Sequence, residues 1–114
     1  MQRPRISKEE EQDERIIKAL ASLDRRRILD ALKDEPRTTG ELCEELPWLN
    51  RCTVMQHLGV LENAGLVISR KEGRKRWNYL DVSPIQRIHE RWIKAFAAPS
   101  ASVLNRLKTD LEAI

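Results

Sequence analysis

TTGELCEELPWLNRCTVMQHLGVLENAGLVISRKEGRKRWNYL (38–80) contains a change of hydrophobic period, and that change decides the fold. Val54, Leu58 and Leu61 recur at i, i+4 and i+7, the period of one buried helix face. Asn50 stands where an N-cap belongs, so the spacing predicts a helix over 51–64. Asn63-Ala64-Gly65 ends it, with Gly65 supplying the left-handed stop. From Leu66 to Lys71 the pattern is that of a strand, Glu72-Gly73 is a turn, and Lys75–Leu80 is a return strand. Upstream, a short helix after Thr38 or Thr39 turns Leu42, Cys43 and Leu46 inward, and Pro47-Trp48-Leu49 is a tight connection. Two helices joined so closely form a candidate helix-turn-helix.

The flanks are helical. Ser7 and Glu10 have the form of a capping box, and Ile16, Ile17, Leu20 and Leu23 give a stripe at helical spacing. Asp24 is the expected cap of a second helix, with Ile28, Leu29 and Leu32 buried and Pro36 closing it. After the hairpin, Ser83-Pro84 starts a helix with Ile85, Ile88, Trp92 and Phe96 on one stripe. Pro99-Ser100 is expected to interrupt it, and Val103, Leu104, Leu107, Leu111 and Ile114 mark a last amphipathic helix. The expected organisation is a partly frayed start (1–13), one domain over 14–98 and a C-terminal helix (99–114) for dimerisation or packing.

At 114 residues, with 40% hydrophobic and 34% charged residues, the chain suits one modest domain and not wholesale disorder. No apolar run nears the roughly 20 residues that span a bilayer, and the polar MQRPRISKEEEQDER start has no apolar signal core. Two cysteines, Cys43 and Cys52, make no disulfide framework, so reduced thiols and a cytoplasmic setting are expected. Nucleophile motifs, glycine-rich phosphate loops and clefts with paired carboxylates are absent. No catalytic residue and no cofactor are therefore expected. The net charge is only +3, but residues 51–80 hold six Lys+Arg against two Glu, while residues 1–50 are net acidic. Five of those cations fall within Arg70–Arg76, as a polyanion partner requires.

The helix over 51–64 is the candidate recognition helix. Its early turns leave Arg51, Cys52, Thr53, Met55, Gln56 and Gly59 nearer the open side, where a recognition helix meets base edges. Arg51 suits a bidentate contact to guanine and Gln56 one to adenine, while Thr53 and Met55 suit a thymine methyl. His57 belongs to the packing or to a phosphate contact. Arg70, Arg74, Lys75 and Arg76 suit flanking phosphates or the minor groove.

The stretch VMQHLGVLENAGLVISRKEGRKRWNYLDVSP (54–84) resembles the ArsR-type winged-helix repressors of bacteria, through His57-Leu58, Leu61-Glu62, Ala64-Gly65-Leu66-Val67 and Glu72-Gly73-Arg74. ALASLDRRRILDALKDEPRTTGELCEEL (19–46) is similar to the second and third helices of that family. The resemblance covers roughly residues 14–98. It implies a mainly α winged helix-turn-helix, ordered α-α-α-α-β-β-α-α, acting as a dimeric repressor at a near-palindromic double-stranded operator. The expected localisation is bacterial cytoplasm, on the nucleoid when bound. The turn at 47–49 is one residue longer than in many members, and the tail from Trp92 is longer than in the shortest ones.

A second copy of the chain would pair through the apolar excess of the terminal helices: Ile16, Ile17, Leu20, Ile85, Ile88, Trp92, Ile93, Phe96, Leu104 and Leu107, some of which fill the monomer core instead. Many relatives sense metals. Here Glu41-Leu42-Cys43 is followed by Glu45 in place of a second cysteine, Asp81-Val82-Ser83 lacks the expected histidine, and His89 is alone, so no metal ligand set is expected. No small-molecule inducer is evident either. Two alternatives stay open: a winged helix that binds protein instead of DNA, and a thiol- or metal-responsive variant using Cys43 and Cys52.

Overall fold

A computed structural model describes residues 2–113, with side chains for all of these except 97–101. Ser7 caps α1 (Lys8–Leu20) with a complete capping box: Ser7 Oγ accepts from the Glu10 amide at 3.1 Å, and Glu10 Oε1 accepts from the Ser7 amide at 3.1 Å. The cap of α2 (Leu23–Ala31) is Ser22 and not Asp24, because Ser22 Oγ accepts from the Arg25 amide at 3.3 Å. Asp24 lies in the first turn, where its carboxylate still suits the helix dipole. The helix also ends well before Pro36. The Leu32 amide folds back on Ile28 and Leu29, and Arg37 Nε donates to the Ala31 carbonyl at 3.2 Å.

A two-residue strand β1 (Arg37–Thr38) then precedes α3 (Thr39–Glu45), α4 (Arg51–Asn63), β2 (Val67–Glu72) and β3 (Lys75–Leu80). The antiparallel sheet has the order β1-β3-β2, with Arg37 opposite Asn78 and Glu72 opposite Lys75. Gly73, at φ 61°, takes the first central position of the two-residue hairpin turn, a backbone conformation that glycine adopts without the strain a side chain would bring. Asn78 is fully buried, and its Nδ2 donates to the Arg37 carbonyl and to Thr39 Oγ1, both at 3.2 Å. One amide thus ties the hairpin to the start of α3. The core comes from α1 (Ile16, Ala19), α2 (Ile28, Leu29), α3 (Leu42), α4 (Val54, Leu58, Leu61) and the buried Leu46 and Leu66.

Contacts divide the chain into two compact units, between Pro84 and Ile85. From Ser83 onward, α5 (Ser83–Ile88), a π-helical stretch (His89–Lys94) and α6 (Ala95–Glu112) follow without a break. The interruption expected at Pro99-Ser100 is not there, since α6 passes through both positions. No helix among the described residues is long and apolar enough to cross a membrane.

The candidate dimer residues fall into different environments. Ile16 is 1% exposed and belongs to the core of its own subunit, which removes it from any face. Its stripe neighbour Ile17 is exposed, because consecutive helix positions lie about 100° apart. Leu20, Ile85 and Ile88 are half-buried, whereas Trp92, Ile93, Phe96, Leu104 and Leu107 are exposed. The rings of Trp92 and Phe96 stand 6.0 Å apart on one helical face.

Leu61 is fully buried where α4 gives way to the hairpin, so Leu61→Ala should destabilise the fold by about 2–5 kcal/mol. A lowered urea midpoint with an unchanged m-value is the expected measurement.

Candidate nucleic-acid interface

The face that α4 offers outward is set by both of its ends. At the start, Asn50 Oδ1 accepts from the Thr53 amide at 2.8 Å and from Thr53 Oγ1 at 3.0 Å. The Thr53 hydroxyl proton is therefore committed to the cap, which leaves its oxygen as an acceptor and its methyl for a partner. At the end, the Leu66 amide donates to the Leu61 carbonyl and the Gly65 amide to the Glu62 carbonyl, both at 2.9 Å. With Gly65 at φ 76°, this is a complete Schellman motif. Between the ends, Val54, Leu58 and Leu61 are buried. Cys52, Gln56, Gly59 and Asn63 recur at i, i+4, i+7 and i+11 on the opposite, exposed side, with Arg51 and Met55 exposed beside them. Val60 is exposed on the other flank.

Gly59 is unusual within this stripe. A Cβ built there meets nothing within 4 Å. An interior helix glycine is destabilising by about 0.5–1 kcal/mol relative to alanine.

His57 is half-buried, and its Nδ1 lies 3.4 Å from Nη1 of Arg25. The same guanidinium donates from Nε to the Ala19 carbonyl at 2.8 Å and from Nη2 to the Lys18 carbonyl at 2.9 Å. Arg25 thus satisfies the carbonyl end of α1, as a cation at a helix C-terminus should, and links it to α4. Of the two roles the sequence left open for His57, this geometry supports the packing one. Sequence reasoning missed Arg25, since three consecutive arginines carry no signal for which one turns inward. It also missed the seat of Trp48. The Trp48 Nε1 donates to Asp24 Oδ1 at 3.0 Å, and the Arg27 guanidinium stacks 5.0 Å from the ring centroid. These contacts pin the helix-turn-helix turn onto α2 although the ring is mostly exposed.

On the hairpin the basic residues divide. Arg76 Nη2 donates to Glu62 Oε1 at 2.6 Å and to Ser69 Oγ at 2.8 Å, and Ser69 Oγ donates to the same Glu62 oxygen at 2.7 Å. Arg76 is therefore neutralised within the subunit and fastens the hairpin to the last turn of α4. Arg70 has a looser partner in Glu72 at 3.8 Å, and both side chains are well exposed. Lys71, Arg74, Lys75 and Arg51 form no ion pair among the described residues, and all four are exposed. Cys43 is half-buried and Cys52 exposed, both as free thiols. Among the described residues no three His, Cys, Asp or Glu side chains gather as a metal cluster.

Comparison with known proteins places this geometry. A family model described as a helix-turn-helix domain matches residues 20–70. The HTH-type transcriptional regulator YuzN of Bacillus subtilis (strain 168) is 35% identical over 85 residues, covering 69% of this chain and 92% of YuzN. The HTH-type transcriptional regulator Rv2034 of Mycobacterium tuberculosis (strain ATCC 25618 / H37Rv) is 43% identical over 68 residues, covering 60% of this chain and 63%, under two thirds, of Rv2034. Among solved structures, the ArsR family transcriptional regulator RHA00566 superposes with a TM-score of 0.66 at 28% identity, over 83% of this chain and 92% of that one.

The Glu62–Ser69–Arg76 triad generates a prediction. Its side chains are partly exposed, so Glu62→Ala should change global stability by no more than about 1 kcal/mol. It should nevertheless speed amide hydrogen exchange across β2 and β3, because the hairpin loses its polar tie to α4.

Proposed function

The chain belongs to the ArsR-type helix-turn-helix transcriptional regulators, and from that membership we propose that it is a homodimeric transcriptional repressor that binds double-stranded DNA sequence-specifically. In this reading α4 enters the major groove by its capped amino end. Arg51 and Gln56 meet base edges, while Met55 and the Thr53 methyl offer apolar contact. The tip of the hairpin lies along flanking phosphates or the minor groove through Lys71, Arg74 and Lys75, with Arg70 partly occupied by Glu72. The observation that carries the reading is the pairing of an outward, polar α4 stripe with the hairpin cations Lys71, Arg74 and Lys75, which form no ion pair among the described residues. Unneutralised cations attract phosphate at long range, whereas already paired ones add little.

Two copies would join through the apolar side chains of the C-terminal helix, Trp92, Ile93, Phe96, Leu104 and Leu107, with Ile17 as a candidate from α1. Exposed apolar residues in such number on one small unit call for a partner surface. Twofold symmetry then matches two half-sites of a near-palindromic operator. Residues 99–114 serve dimerisation in this scheme, and the protein acts in the bacterial cytoplasm on nucleoid DNA. A protein-binding role for the same face is disfavoured because its exposed apolar residues on α4, Met55 and Val60, stand on opposite flanks of the stripe and make no continuous patch.

Binding to a duplex enriched from a random-sequence library tests the reading. Arg51→Ala should cost about 1–3 kcal/mol and relax preference at one base pair. Arg74→Ala and Lys75→Ala should each reduce the slope of log affinity against log salt by about 1 while sparing sequence preference. Binding left intact after all three changes overturns the placement of the interface. In sedimentation equilibrium, Leu104→Glu with Leu107→Glu should convert a dimer to a monomer.

A further inference from the structure

Gly59 occupies the middle of the outward stripe of α4, one turn beyond Gln56, and nothing inside the subunit asks for glycine there. Backbone geometry does not, since among the described residues only Gly65 and Gly73 adopt positive φ. Internal packing does not, since an added Cβ would meet nothing within 4 Å. Helix propensity argues against it, because a solvent-facing interior position is better filled by alanine. Close approach of a body from outside would give glycine a use there.

We propose that Gly59 is a specificity-determining contact, at which bare helix backbone packs against the wall of the DNA major groove. The inference rests on the DNA-binding reading above and deepens it. An α-helix with its side chains is about 10–12 Å across, and the major groove is about 12 Å wide. A helix dressed with long side chains on its outward stripe would ride high. Here the stripe is Cys52, Gln56, Gly59 and Asn63, with one long side chain among short ones or none. The missing side chain at Gly59 lowers the helix by the depth of a methyl group or more at its third turn. That depth lets Gln56 reach a base edge instead of stopping at the backbone. Glycine elsewhere serves the same purpose, allowing close approach of main chain to a ligand.

The test uses the full chain, a duplex that the parent protein enriches from a random-sequence library, and an unrelated duplex of equal length. Gly59→Ala should raise the melting temperature by roughly 3–6 °C. It should weaken binding to the enriched duplex about tenfold, or about 1.4 kcal/mol. Gly59→Leu should weaken it further. On the unrelated duplex both variants should bind within about twofold of the parent, because non-specific affinity comes from phosphate neutralisation. Greater thermal stability with parental affinity for the enriched duplex overturns the proposal, since Gly59 then merely faces solvent. A lower melting temperature for Gly59→Ala also overturns it, by revealing an internal need for glycine. Equal loss on both duplexes removes the specificity claim. A parent that enriches no duplex overturns the DNA-binding reading itself, and that outcome is read before any variant is made.

Discussion

The rotation of α4 about its own axis is the constraint on which the candidate interface depends. Val54, Leu58 and Leu61 are buried along one line, and each such side chain contributes roughly 1.5–3 kcal/mol by leaving water. Turning the helix by a single position, about 100°, would carry all three off the buried line and swing Gln56 toward the core. The apolar face therefore chooses the polar one. Hydrogen bonds then hold what burial selected: Asn50 at one end, the Gly65 Schellman motif at the other, and the side chains of Arg25 and Glu62 reaching α4 from α2 and onward to the hairpin.

The charges sort by environment rather than by count. Arg25 closes the carbonyl end of α1, Arg37 closes α2, and Arg76 is held by Glu62. These three guanidiniums are construction. Lys71, Arg74, Lys75 and Arg51 keep their field for the solvent side. A net charge of +3 understates the attraction to a polyanion, because the acidic residues of the first fifty positions are largely remote in sequence from the tip.

Much of this was legible in the sequence, and the reasons are local. Asn50 before an i, i+4, i+7 stripe, Ser7 with Glu10, and Gly65 after Ala64 are short-range signals whose partners lie within a few residues. The hairpin register follows from its two-residue turn. The misses are of two kinds. Ser22 and Asp24 are both good caps two positions apart, and only the path of the chain separates them. The remaining misses depend on distant partners. The short strand β1 is defined by pairing with residues some forty positions on. Arg76 looks like any tip cation until Glu62 stands beside it. Ile16 and Ile17 are equally apolar, and only the packing around α1 assigns one to the core.

Thr38 holds two offices at once. It is the last residue of β1, opposite Trp77, and its Oγ1 accepts from the Glu41 amide to begin α3. A slip of one residue in the strand pairing would carry the wrong side chain to the helix start, so sheet alignment and helix phasing are a single choice. The hairpin is consequently no detachable appendage. The pairing of β1 with β3 spans some forty residues of chain, so the edge from which α3 starts is a long-range contact. A truncation that ended the chain before residue 75 would leave α3 without the edge it starts from, however intact its own sequence.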